Sequence, residues 1–183
     1  MGMIISRITG GTCDGLDTHE SGYYRTGFEY ASRVGMPHPG PDMAGLTIVD
    51  PFARDCDWAN HTNDIDESTS AGSHMDALEY LKTFIDGTVD LILFDPPFSP
   101  HQAERYGKGM SNIYTQGNYL SQVYFECSRI LKTGGGFLKL GYNSNRPQST
   151  LSIKRMWIVH FGGNRNDVIM TLWTKSQSRI DEY

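Results

Sequence analysis

Cysteine is scarce in this chain of 183 residues. The three present, Cys13, Cys56 and Cys127, are odd in number and widely spaced. They predict reduced intracellular thiols rather than a disulfide framework. No CxxC, HxxxH or HxH spacing occurs among the cysteines and six histidines, so no metal site is expected. No run of about 18 apolar residues is present, which excludes a helical membrane span. The opening MGMIISRITGG has no basic stretch ahead of a long apolar one, so no signal peptide and an intracellular, cytoplasmic setting are expected. There is no GxxxxGK phosphate loop, no Ser/His/Asp elbow, no internal repeat and no low-complexity tract.

What is there has the composition of one ordinary globular domain, since the chain can bury one good core and is short for two. Its net charge of −5 argues against indiscriminate nucleic-acid binding, yet the charge is unevenly placed. Residues 50–95 hold 11 acids and 2 bases, whereas residues 96–183 hold 5 acids and 11 bases. A basic second half can follow phosphates while the acidic part binds something else, though chance gives the same pattern equally well.

Residues 1–44 are rich in glycine and turn formers, with a short helix over 23–35 and a Pro/Gly linker at 36–43. They form an N-terminal extension ahead of a domain spanning 45–183. GLTIVD (45–50) reads as a buried strand and HTNDID (61–66) as a weak one. SHMDALEYLKTFI (73–85) suits a short amphipathic helix. VDLILF (89–94) is apolar almost throughout, as a central strand buried on both faces would be. A long polar loop is expected over 99–117, then a helix over 118–132 capped by TGGG, a strand over 137–144, and a hairpin of RMWIVHFGG and VIMTLWTK joined by NRND. Alternating strands and helices followed by a hairpin imply an α/β domain with a mostly parallel sheet and an antiparallel edge. Ligands of such sheets bind beyond the carboxyl ends of the strands, and here those ends carry Asp50, Asp64 with Asp66, and Asp95.

The stretch DPPF (95–98), at the end of a strand, resembles the signature of the S-adenosylmethionine-dependent amino-methyltransferases that methylate adenine N6 or cytosine N4 in DNA. DALEYLKTFIDGTVDLILFDPPF (76–98) resembles their contiguous cofactor-to-catalytic block. VDPF (49–52) resembles the start of their cofactor motif, and SRILKTGGGFLKL (128–140) the following helix, turn and strand. The likeness covers roughly residues 45–145 and implies a Rossmann-like, class I methyltransferase-type sheet with S-adenosyl-L-methionine as cofactor.

On that resemblance, Asp95 and the carbonyl of Pro96 are the two acceptors that grip a base NH2 and free its lone pair. Pro96 and Pro97 fix them in place, and Phe98 stacks on the base. Asp50 matches the acid facing the methionine amino group, beside Pro51, Phe52 and Ala53. Asp64, or its neighbour Asp66, falls where an acid accepts from the ribose hydroxyls. Asp76 matches the acid at the adenine amine, with Met75 or Ala77 against the ring. Each of these acids also has an ordinary reading as a helix cap or turn residue. His101, Arg105, Tyr106 and Lys108 follow DPPF, where substrate must arrive; phosphate or base contact and a solvated loop are equally good readings there.

One departure from the family stands out. ARDCDWANH after Phe52 has no glycine and is too short for the usual helix. Either a remodelled loop holds the cofactor, with Phe52, Ala53 or Trp58 against it, or binding is weakened. The resemblance implies methyl transfer to an exocyclic base amine, adenine N6 in DNA being favoured, with DNA (single-stranded included) or RNA as partner. A small member of this kind is expected to rely on weak sequence specificity or on homo-oligomerisation. The other readings are a catalytically silent binding subunit of the same fold, and an enzyme acting on RNA or a free nucleotide.

Overall fold

The computed structural model describes residues 5–9, 45–105, 112–160 and 167–177. The expected helix over 23–35, Cys13 and residues 164–166 of the NRND turn lie outside them. Strands β1 (Ile5–Thr9), β2 (Ile48–Asp50), β3 (His61–Thr62), β4 (Val89–Phe94), β5 (Leu131–Gly141), β6 (Leu151–His160) and β7 (Val168–Lys175) form one sheet. Among the described residues four helices accompany them: α1 (Ala77–Lys82), α2 (Pro100–Arg105), α3 (Asn112–Thr115) and α4 (Tyr119–Ile130).

The strand order is β1-β6-β7-β5-β4-β2-β3. All neighbours are parallel except β7, which runs against both β5 and β6. This is the expected Rossmann-like α/β sheet, with one change. The antiparallel strand is interior, not an edge, because β6 continues outward to pair in parallel with β1. Residues 5–9 thus supply a strand in an extension read from the sequence as turns, one short helix and a linker. From β2 the chain steps outward to β3, then returns to place β4 on the other side of β2. The switch point therefore lies between the carboxyl ends of β2 and β4, where sheets of this type bind ligands.

β4 is buried on both faces, as its apolar run implies. Ile92 and Phe94 enter a core with Leu81, Val123, Ile130 and Phe137 under α1 and α4. Leu93 enters a second core with Ile48, Leu140, Val159 and Met170. Phe94 and Phe137 pack with ring centroids 5.1 Å apart, and each fully buried ring contributes about 1.5–3 kcal/mol. Within α4, Val123, Cys127 and Ile130 are fully buried at i, i+4 and i+7, the spacing of one helix face.

Two expectations need correction. The segment 99–117 is not a plain loop, since α2 and α3 form within it. TGGG does not cap α4: the helix ends at Ile130, and Leu131 is already extended at φ −65°, ψ 137°. The glycines serve the irregular pairing between β4 and β5, where Gly134 has φ 81°. A side chain on Gly135 would put its Cβ 2.8 Å from the Lys132 carbonyl.

Candidate functional site

Asp50 is the last residue of β2, and Asp95 follows the last residue of the neighbouring β4. Asp50 is almost wholly buried. Its Oδ1 accepts from the Phe52 amide at 3.0 Å, while Oδ2 is buried with no hydrogen-bond partner among the described residues. Burial raises its pKa well above the usual carboxylate range; the Phe52 amide opposes this, and the nearby charges of Asp95 and Asp64 add to it. A buried carboxylate oxygen without a donor is costly, and a bound cation or N–H donor would relieve it.

The Gly-free turn after Phe52 closes by other means. Ala53 N donates to Asn63 O at 2.8 Å, and Arg54 sits in the left-handed region at φ 50°. That conformation costs a non-glycine residue about 1–2 kcal/mol. Asp64 holds it there, accepting from Arg54 N at 3.1 Å and from Asp66 N at 2.9 Å. Asp64 is therefore a fully buried clamp on two backbone amides, with a pKa raised by burial. Asp66 accepts from the amide and hydroxyl of Ser68, which lower its pKa, and lies 3.9 Å from Arg54.

Asn63, fully buried, joins the walls of the site. Its amide donates to Pro51 O (3.2 Å) and Met75 O (3.0 Å), and its Oδ1 accepts from Met75 N (2.9 Å). Between these walls lies a cleft of about 230 Å3, its solvent mouth included, lined by Pro51, Phe52, Ile65, Met75, Asp76, Ala77, Ile113 and Tyr119. Five of the expected cofactor residues are thus brought together. Asp50, Ala53, Asp64 and Asp66 do not line the cleft; Ile65 presents itself between the last two. Trp58 packs on the second core instead.

Asp76 is the N-cap of α1, its Oδ1 accepting from Leu78 N at 2.9 Å and its Oδ2 from Tyr119 Oη at 2.8 Å. The helix-cap reading of this acid therefore holds, and it coexists with a place on the cleft wall. The Tyr119 hydroxyl is raised in pKa by burial and by Asp76.

At the tip of β4, Pro96 and Pro97 are buried and Asp95 and Phe98 half-buried. Helices α2 and α3 fix this backbone. Phe98 N donates to Gln102 Oε1 at 2.8 Å, and Tyr114 Oη donates to Pro97 O at 2.5 Å. Among the described residues nothing takes up the Pro96 carbonyl. His101 is exposed on α2, Arg105 closes that helix, and Tyr106 and Lys108 lie outside the described residues.

Asn63, Ile65, Ile113, Tyr114 and Tyr119 are absent from the sequence reading of the site. Only Asn63, beside Asp64 in NDID, carried a local signal. Among the described residues no group of His, Cys, Asp and Glu could hold a metal ion.

No protein-family model and no curated protein matches this sequence. Solved structures of similar shape include Escherichia coli yhhF, provisionally titled a methyltransferase. It is 11% identical over 81% of each chain, with a TM-score of 0.48. A Sulfolobus solfataricus protein, provisionally titled a type 11 methyltransferase, is 15% identical over 75% of this chain and 88% of that one, at 0.43. The fold is a Rossmann-like, mostly parallel α/β sheet, an assignment that rests on the strand order itself.

Proposed function

We propose that the protein transfers a methyl group from S-adenosyl-L-methionine to an exocyclic amine of a nucleobase, adenine N6 in DNA being the first choice. The observation that carries this is the placement of Asp50 and Asp95 at the carboxyl ends of adjacent parallel strands at the switch point. When bound, the cofactor supplies an electrophilic sulfonium methyl. Two features suit it: the cleft lined by Phe52, Met75, Asp76 and Tyr119 beside the strand ends, and the unpartnered Oδ2 of Asp50, suited to an ammonium.

For catalysis, Asp95 and the Pro96 carbonyl accept the two hydrogens of the base amine. That draws the nitrogen toward tetrahedral geometry and frees its lone pair. Tyr114 occupies the Pro97 carbonyl and so leaves Pro96 as the available backbone acceptor. Incubation with unmethylated genomic DNA, RNA and nucleoside pools and labelled cofactor, followed by nucleoside analysis, tests the reading. Label in N6-methyladenine is the expected product. Absence of transfer to every pool, with no calorimetric heat from millimolar cofactor, would leave the silent binding subunit.

A further inference from the structure

Pro96 and Pro97 carry no N–H, so neither residue is tied down through an amide hydrogen of its own. The next amide hydrogen along the chain is that of Phe98. It lies in the same peptide plane as the Pro97 carbonyl and on the opposite edge, because the bond is trans. Both edges of this plane are held. Phe98 N donates to Gln102 Oε1 at 2.8 Å, and the Pro97 carbonyl accepts from Tyr114 Oη at 2.5 Å. The Phe98 ring then meets that of Tyr142, with centroids 5.1 Å apart.

The two gripping side chains come from different short helices, and each sits next to a buried apolar residue. Gln102 precedes Ala103 on α2, and Tyr114 follows Ile113 on α3. Ala103 and Ile113 both enter the core that holds Phe94. The grip therefore starts from two fixed points. Burial, with Tyr142 nearby, raises the pKa of the Tyr114 hydroxyl, which stays a donor through neutral pH. Each proline ring also fixes its own φ. Once the 97–98 plane is held, only ψ of Pro97 separates it from the Pro96 carbonyl. A chain that merely had to leave the sheet would satisfy these backbone groups with water.

We propose that Tyr114 and Gln102 are positioning residues for methyl transfer, clamping the Pro97–Phe98 peptide plane and through it the Pro96 carbonyl. The inference rests on the methyl-transfer reading and adds to it the side chains that aim its backbone acceptor. Both act through the backbone, without touching substrate or cofactor. An acceptor displaced by about 1 Å loses much of its effect on a reacting group, so the clamp bears on the chemical step and not on cofactor affinity.

Amide hydrogen exchange at Phe98, followed by NMR in the full chain, reads the clamp without any substrate. Tyr114→Phe keeps the ring and removes the donor, and is expected to speed that exchange roughly fivefold or more. Turnover is then measured with saturating S-adenosylmethionine and whichever DNA, RNA or nucleoside pool accepts label. In Tyr114→Phe and in Gln102→Leu, kcat is expected to fall roughly tenfold to 100-fold with an unchanged cofactor dissociation constant. Gln102→Glu restores an acceptor for Phe98 N and most of the rate. Because both residues grip one plane, a variant carrying Tyr114→Phe and Gln102→Leu together is expected to be hardly slower than the slower single variant. Phe125→Ala, at an exposed aromatic on α4, turns over as the wild type does. Unchanged Phe98 exchange in Tyr114→Phe, wild-type kcat in both single variants, or losses that multiply when combined would each overturn the inference. Faster Phe98 exchange alongside no methyl transfer by the wild type to any pool fails the methyl-transfer reading itself, and the positioning role with it.

Discussion

Asn63 and Met75 exchange two hydrogen bonds, amide nitrogen to Asn63 Oδ1 at 2.9 Å and Asn63 Nδ2 to Met75 carbonyl at 3.0 Å. A side chain that mimics a strand partner in this way joins two segments that share no ladder. One of its hydrogens also reaches Pro51, so one residue sets the width of the cleft. Asn63→Ala leaves three backbone groups without partners. A loss on the order of 3 kcal/mol is expected, read as a lower urea midpoint, together with weaker cofactor binding by calorimetry.

Asp50 is costly to stability at neutral pH. Its pKa is raised in the folded chain, so the native state binds more protons than the unfolded one between pH 4 and that raised value. Stability conferred on the protonated form is therefore present below about pH 4 and lost as pH rises. Asp50→Asn is expected to melt several degrees higher than wild type at pH 7, with the difference vanishing by about pH 4, in a thermal-melt series against pH. It is also expected to weaken S-adenosylmethionine binding at pH 7.

In the proposed reaction Asp95 accepts from the base amine and not from the cofactor, so its removal separates chemistry from cofactor binding. Asp95→Ala is expected to lose methyl transfer at least 100-fold while its cofactor dissociation constant stays within about twofold of wild type. Equal turnover by the variant in a labelled-methyl assay rules out the two-acceptor grip.

Asp76 serves α1 and the cleft together. Asp76→Ala removes the acceptor for Leu78 N and for the Tyr119 hydroxyl, at a cost of about 1–2 kcal/mol in chemical denaturation. Asp76→Asn retains the cap and most of that stability. If cofactor affinity falls in both, the carboxylate itself contacts the ligand; if only in the alanine variant, the cap geometry is what matters.

Those elements whose character is local are legible in the sequence. VDLILF is buried on two faces and its limits are those of β4; VIMTLWTK is β7 residue for residue. Asp50 and Asp95 are legible because a strand end followed by proline is a short-range signal. Tyr119 meets Asp76 across 43 residues and Tyr142 meets Phe98 across 44, and no window along the chain holds both partners. Asp64 is not legible as a turn anchor for a different reason. By resemblance it falls at a sugar-binding position, but a turn without glycine needs an anchor at Arg54, and the carboxylate is turned inward to supply it.

The interior position of β7 has a consequence for biosynthesis. β5 has only β4 beside it, and β6 lacks its ladder to the central strands, until Val168–Lys175 has left the ribosome. Among the described strands, β1 has no neighbour until β6 emerges some 150 residues later. Half of the sheet must therefore form nearly at once, late, with two hydrophobic strands waiting open-edged for the one that slides between them.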